Sequence, residues 1–190
     1  MSTVMAAELS FRSGPFTRAD LDGMPDDGRR HEIIDGVLIV SAAPGRLHQR
    51  AVGRIGRLLD DGCPPEFEVL VAPFAVGLAD DSEMQPDILV ARRDKLTDRD
   101  LPGPPELAVE VLSPSTRLID LNVKRLRYSR AGTPAFWAVD PLARPEEARL
   151  LAWELGRGRK YHRVADVTGD KEFTATRPYP VSVIPADLVR

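Results

Sequence analysis

The sequence predicts an α/β sandwich: a mixed β-sheet flanked by helices, with an antiparallel strand extension at its C-terminal end. Three observations predict it. Elements follow in the order helix, hairpin, helix, strands, helix, strands, which is not the strict alternation of a doubly wound fold. Asp35-Gly36 sits between two apolar runs, the strongest short hairpin signal. The last forty residues read as short strands joined by Gly and Asp turns.

Thr17 caps a short helix from Arg18 to Gly23, with Asp20 in its first turn. "HEIIDGVLIVSA" then gives the two hairpin strands. In "GRLHQRAVGRIGRLLDDG", Leu47, Ala51, Ile55, Leu58 and Leu59 fall on one helical stripe, and Gly62 with the prolines after it ends the helix. "FEVLVAPFAVGLA" is strand-like, interrupted by Pro73. "DILVAR" is a short strand after Pro86. "RDKLTDRDLPGPP" reads as loop with one helical turn. "PELAVEVLSPST" is a strand whose buried face is Leu107, Val109 and Val111, with Glu110 at its centre. "SPST" breaks that strand and caps a helix from about Arg117 to Arg130, which Ala131-Gly132 closes and Pro134 stops. "AFWAVD" is a buried strand, and "ARLLAWEL", "KYHRVADV", "KEFTAT" and "PVSVI" form the extension. No boundary divides the chain, so one domain is expected over residues 1–190, with 1–15 a loose tail.

At 190 residues the chain is long enough for one domain with a real core. No run approaches the ~20 apolar residues of a membrane span. The start lacks a basic region followed by an apolar core, so no secretory signal is expected. Cys63 is the only cysteine, which excludes an internal disulfide and a thiol metal cluster. A cytoplasmic protein is the simple expectation. A net charge of −3 counts against nonspecific coating of nucleic acid. It leaves room for a local basic groove, because Arg46, Arg50, Arg54 and Arg57 cluster in one segment and Arg117, Lys124, Arg125, Arg127 and Arg130 in another. The first stripe reads either as the wet face of an amphipathic helix or as phosphate contacts.

The chemistry lies in three acids at strand positions: Glu32 on the first hairpin strand, Asp87 at the head of "DILVAR", and Glu110. An isolated carboxylate among aliphatic neighbours is costly to desolvate. Paired strands lie ~4.8 Å apart, so two such carboxylates can share one cation. Oxygen-only ligands suit Mg²⁺ or Mn²⁺. His31, His48 and His162 are too scattered in sequence for a metal-ligand spacing. On the following helix Asp120, Lys124 and Tyr128 repeat every four residues and share a face. Ile119, Val123 and Leu126 form the neighbouring stripe, expected to pack inward.

Each residue also has a plain structural reading. Asp87 serves as a strand-entry residue, Glu110 pairs with Arg117, Lys124 with Asp120 makes a surface pair worth roughly 0.3–0.5 kcal/mol, and Glu32 lies on the hairpin's outer face. His48 among arginines reads as solvated, and Trp153 as core or dimer interface. Ser113 and Ser115 read as a cap and turn, with no histidine placed to make either a nucleophile.

"QPD", "EVLSPST" and "DLNVKRLRY", in this order, resemble the PD-(D/E)XK, or restriction-endonuclease-like, superfamily, and within it the Uma-type branch. "HEIIDGVLI", "APGRLHQR" and "RAGTPAFWAVDP" resemble further parts of that branch's pattern, so the resemblance spans roughly Thr17 to Pro141. It implies a restriction-endonuclease-like core and a metal-dependent endonuclease acting on DNA with Mg²⁺ or Mn²⁺. Asp87 and Glu110 are the implied metal ligands, supported by Glu32 and the carbonyl of Val111. The namesake motif would place a lysine two residues after Glu110, where Leu112 stands. The branch is similar in lacking it there, and Lys124 matches the helix lysine that takes its place. Asp120 and Tyr128 would position Lys124, Ser113 and Ser115 would bond to phosphate or to the helix start, and His48 would touch substrate or metal. A double-strand cut needs two sites, so a homodimer through the C-terminal strands is expected. The alternative is a catalytically weak nuclease fold kept as a nucleic-acid-binding or protein-interaction module.

Overall fold

The computed structural model describes the backbone of residues 8–10 and all of residues 13–190. Of the expected loose tail, residues 1–7, 11 and 12 lie outside the described residues. Glu8–Ser10 forms a strand, β1. The helix α1 runs over Arg18–Leu21, and the Asp20 carboxylate accepts hydrogen bonds from the Thr17 N–H at 2.8 Å and its hydroxyl at 2.9 Å. The hairpin strands β2 and β3 are Arg30–Ile34 and Val37–Ser41. Between them Asp35 and Gly36 both have positive φ, 48° and 78°, as a tight hairpin turn requires. A Cβ on Gly36 would also lie 2.6 Å from the Cβ of Pro15. Gly36→Ala is therefore expected to cost about 1–3 kcal/mol, read as a lowered midpoint in urea unfolding.

Next come α2 (Arg46–Asp61), β4 (Phe67–Val71), β5 (Ala75–Ala79), β6 (Ser82–Met84) and β7 (Ile88–Arg92). Within the expected loop a short strand appears, β8 (Asp100–Pro102), paired in parallel with β5. The apolar strand β9 is Leu107–Val111, every residue buried. The expected helix after it begins with a π-helical segment, Ile119–Lys124, that runs into α3 (Arg125–Ala131). Then follow β10 (Ala135–Asp140), β11 (Arg149–Leu155), β12 (Tyr161–Thr168), β13 (Phe173–Ala175) and β14 (Val181–Val183).

The strands form two six-stranded mixed sheets and one small hairpin. The first sheet has the order β1-β3-β2-β6-β5-β8 and the second β12-β11-β10-β9-β7-β4, with β13-β14 apart. In the second sheet β9 and β10 run parallel and the other pairs antiparallel. One face of the second sheet packs on α2 through Ile88, Val90, Leu107 and Val109 against Ala51, Ile55 and Leu59. Its other face meets the first sheet and α3, with Ala108, Leu112 and Phe136 against Ile34, Ile39, Met84 and Tyr128. The site forms in this second layer. Trp153 belongs to it as core, packed on Phe136 with the Arg125 guanidinium 4.9 Å above its ring.

Two expectations change. Val123 and Leu126 are 44% and 49% exposed, while Asp120, Lys124 and Tyr128 are buried, so the helix turns its ionic stripe inward. The π turn contributes to this. Residues four apart overshoot a full α turn and fall short of a π turn, so the change of pitch keeps 120, 124 and 128 in line. The phosphate reading of the α2 arginine stripe narrows: all four arginines are exposed, but three of them have partners within the protein. Arg50 donates to the carbonyls of Val189 and Arg190, Arg54 donates to that of Asp187, and Arg57 pairs with Asp61.

Arg18 ties α1 to the first sheet, donating to Glu83 and Asp100, each at 2.7 Å. The Thr97 hydroxyl and Arg18 hold the Asp100 carboxyl below its usual range against the opposing effect of burial. A depressed pKa contributes stability above the unfolded-state value and loses it as pH falls through the folded-state one. Wild type is thus expected to exceed Arg18→Gln in stability at neutral pH, the gap narrowing in acid, as urea melts across a pH series would read.

Candidate active site

The strand period of two puts Arg30, Glu32 and Ile34 on one face of β2. In the second sheet Ile88 of β7 pairs with Val109 of β9. One step beyond that pair, Asp87 stands opposite Glu110. The helix after β9 then folds back over the strand end. Ser113 sets its start: the Ser113 hydroxyl accepts from the Thr116 N–H at 3.2 Å and bonds to the Ser115 and Thr116 hydroxyls at 3.0 and 2.9 Å. Both serines therefore serve the helix start.

Lys124 reaches back. Its Nζ lies 2.9 Å from Glu32 Oε1, 3.2 and 3.3 Å from the two Glu110 oxygens, and 3.7 Å from Asp120 Oδ1. Lys124 is 2% exposed and Glu110 1%, so this is no surface pair. Burial would lower the Lys124 pKa, but Glu110, Glu32 and Asp120 raise it above the ordinary lysine value. Lys124 is accordingly favoured as a cation that donates hydrogen bonds to these acids. Burial pushes Glu110 well above the usual carboxylate range, with Lys124 opposing and the neighbouring acids adding to the rise. Asp120 is raised for the same reasons, with Lys124 and Thr116 opposing. Arg117, the other partner considered for Glu110, pairs with Asp140.

Asp87 is held differently. Its Oδ2 accepts from the Val111 N–H at 2.7 Å and lies 3.1 Å from His48 Nε2, and its Oδ1 accepts from Arg30 at 3.0 Å. Burial raises its pKa, but the His48 hydrogen bond and the charges of Arg30 and Lys124 outweigh it and hold it at about 2. His48 is thus no solvated residue. It is packed at the start of α2 against the carboxylate, with its Nδ1 buried and lacking a hydrogen bond among the described residues. The contribution of Val111 that the structure shows is its N–H. The Tyr128 ring packs on Phe136 at 5.8 Å and its buried hydroxyl makes no hydrogen bond among the described residues. Tyr128 therefore belongs to the core beside Phe136, and no hydrogen bond to the Lys124 amine is present.

Sequence reasoning missed Arg30. It donates to Asp87 and, at 2.9 Å, to the Gln85 carbonyl, and its Nε lies 3.9 Å from Glu32 Oε2. The available signal was its spacing of two from Glu32, which puts both on one strand face.

A divalent metal is implied by this class of fold, and the donor set fits one. Four buried acids, Glu32, Asp87, Glu110 and Asp120, share two cations, Lys124 and Arg30. The acids outnumber the cations four to two, and Glu110 and Asp120 have raised pKa values, burial first and the neighbouring acids adding to it. Glu32 Oε2 is buried without a hydrogen bond among the described residues. The available donors are hard oxygens, which suit Mg²⁺ or Mn²⁺. Among the described residues no three His, Cys, Asp or Glu side chains form a ready-made metal cage. The acids are engaged instead with Lys124, Arg30, His48 and the Val111 N–H.

Fold and site together define a restriction-endonuclease-like α/β protein with a buried carboxylate–lysine cluster. The model of the family described as "Uma2: Putative restriction endonuclease" matches residues 18–185, and the chain belongs to this family. The chain is also similar to a crystal structure of "a putative nuclease belonging to DUF820" from Anabaena variabilis, with a TM-score of 0.69 and 17% identity over 92% of this chain and 98% of that one. That likeness is one of fold. No curated protein matches the sequence. No described helix is long and apolar enough to cross a membrane.

Proposed function

We propose that this protein is a metal-dependent endonuclease that hydrolyses phosphodiester bonds in DNA. The observation that carries the reading is the placement of Lys124 on Glu110 from the next helix, with Asp87 opposite on the paired strand. This is the carboxylate–carboxylate–lysine set that phosphodiester hydrolysis uses, rebuilt without a lysine on the strand. Membership of a nuclease family supports it.

Asp87 and Glu110 would hold Mg²⁺ or Mn²⁺, with Glu32 and the Val111 carbonyl completing the set, and the bound metal supplies an acidified water and charge stabilisation at the phosphate. The remaining work belongs to the chain. The Val111 N–H and His48 keep Asp87 ionised and fix its orientation. Lys124, favoured as a cation, orients the attacking water or the scissile phosphate for in-line displacement. Asp120 holds Lys124 from behind. For a cut through both strands the proposal adds a two-fold dimer, with β12, at the edge of the second sheet, as the contact.

Nicking of supercoiled plasmid in Mg²⁺ or Mn²⁺ tests the reading. Wild type is expected to nick, chelation to stop it, and Asp87→Ala to slow it by at least about 100-fold. Nicking at the wild-type rate by Asp87→Ala would contradict the reading. Nucleic-acid binding without nicking or Mn²⁺ affinity would favour the binding-module alternative.

A further inference from the structure

We infer that Arg30 is a substrate-binding residue, a fixed guanidinium that receives a backbone phosphate of the nucleic acid beside the carboxylates. The inference rests on the nuclease reading above. Two clefts, of about 490 and 320 Å³, adjoin the site, and Arg30, His48 and the Ala42–Pro44 turn line both. Asp87 lines the larger cleft, and Ser113, Ser115 and Thr116 the smaller. Arg30 therefore stands at the junction a strand must cross to pass from one cleft to the other. Of the two cations in the cluster, the Lys124 side chain is 3% exposed, whereas that of Arg30 is 21% exposed.

The guanidinium is also anchored in a way that leaves donors over. One terminal nitrogen, NH1, makes both anchoring hydrogen bonds, to the Gln85 carbonyl and to Asp87 Oδ1. The Nε stays beyond hydrogen-bond range of Glu32 at 3.9 Å. Among the described residues, Nε and the second terminal nitrogen have no hydrogen-bond acceptor. A planar fork tethered through one nitrogen keeps the N–H groups of its Nε edge unbonded, within ion-pair range of Glu32 alone among the described residues, and two such groups match two phosphate oxygens, a geometry an ammonium cannot supply. Because the tethers fix its orientation, little side-chain freedom is lost when phosphate binds.

The test is the salt dependence of binding to a 30-bp fluorescein-labelled DNA duplex in EDTA, where no cleavage interferes. Arg30→Gln is expected to bind about tenfold more weakly and to lose about 0.9 from the slope of log K against log salt, one phosphate contact's worth. Arg30→Lys keeps the charge and should restore the slope while recovering only part of the affinity. A role confined to steadying Asp87 would leave all three slopes equal, and equal slopes overturn the inference while leaving the nuclease reading intact. Failure of wild type to bind the duplex in EDTA and again with Ca²⁺ in its place, where an oxygen-ligand cation can offset the acids, overturns both. Thermal melts of the variants establish folding, and if Arg30→Gln does not fold the test rests on the affinity of Arg30→Lys: a partial loss supports the inference, and wild-type affinity overturns it.

Discussion

Replacing Lys124 with methionine is expected to lower stability by about 3–5 kcal/mol and to abolish nicking. Methionine keeps most of the lysine's length, so the space stays filled and the effect isolates the charge. Glu32, Glu110 and Asp120 lose the cation they share, and none of them has water to replace it. The loss should depend on pH in a stated direction. Glu110 and Asp120 already have raised pKa values, and removal of Lys124 raises them further. A raised pKa contributes stability that is present below the unfolded-state value and lost as pH rises through the folded-state one. The variant should therefore be weakest above neutral pH and recover toward wild type in acid. Urea unfolding at pH 5 and pH 8 reads this directly. A loss below about 1 kcal/mol at both pH values would mean that Lys124 and Asp120 make an ordinary exposed helix pair.

Glu110→Gln should separate stability from activity. The amide fits the same space and removes one of four acids from a cluster that has two cations. The variant is expected to stay within about 1 kcal/mol of wild type, since burial already favours the neutral form of Glu110 and Lys124 keeps Glu32 and Asp120 as partners. Nicking should fall by about 1,000-fold or more, because losing a ligand forfeits several kcal/mol of transition-state stabilisation. Thermal melts and the plasmid assay on the same preparation give both readouts. A stable variant that still nicks would remove Glu110 from the mechanism. A strongly destabilised one would make its role structural.

Much of the fold was legible because its signals are local. Asp35-Gly36 allows little but a hairpin, the α2 stripe is helical in period, and Gly132 with Pro134 ends a helix wherever it lies. The strand β8 was not legible: three residues of "DLP" hold a parallel pairing with β5 through tertiary contact alone. The site was half legible. Glu110 stood out as an acid in an oily strand, and the four-residue repeat put Lys124 in line with Asp120. The polar face of that helix does point back over the strand end; what was misread is the packing stripe, because apolar residues normally turn inward and here Val123 and Leu126 do not. Burying an ionic stripe is favourable only when charges on two other strands are waiting for it, and sequence distance hides that. Arg30 and His48 were obscured for the same reason. Their meeting at Asp87 depends on how the first sheet and α2 dock on the second, which no local pattern records.

The buried acids outnumber the cations beside them four to two, and a divalent cation held by Asp87 and Glu110 is the proposed complement. Calorimetric titration of Mn²⁺ into wild type and Glu110→Gln tests it most directly. The account predicts saturable binding to wild type and at least about tenfold weaker binding to the variant. Equal affinity in the two proteins, or no binding to folded wild type, would contradict it.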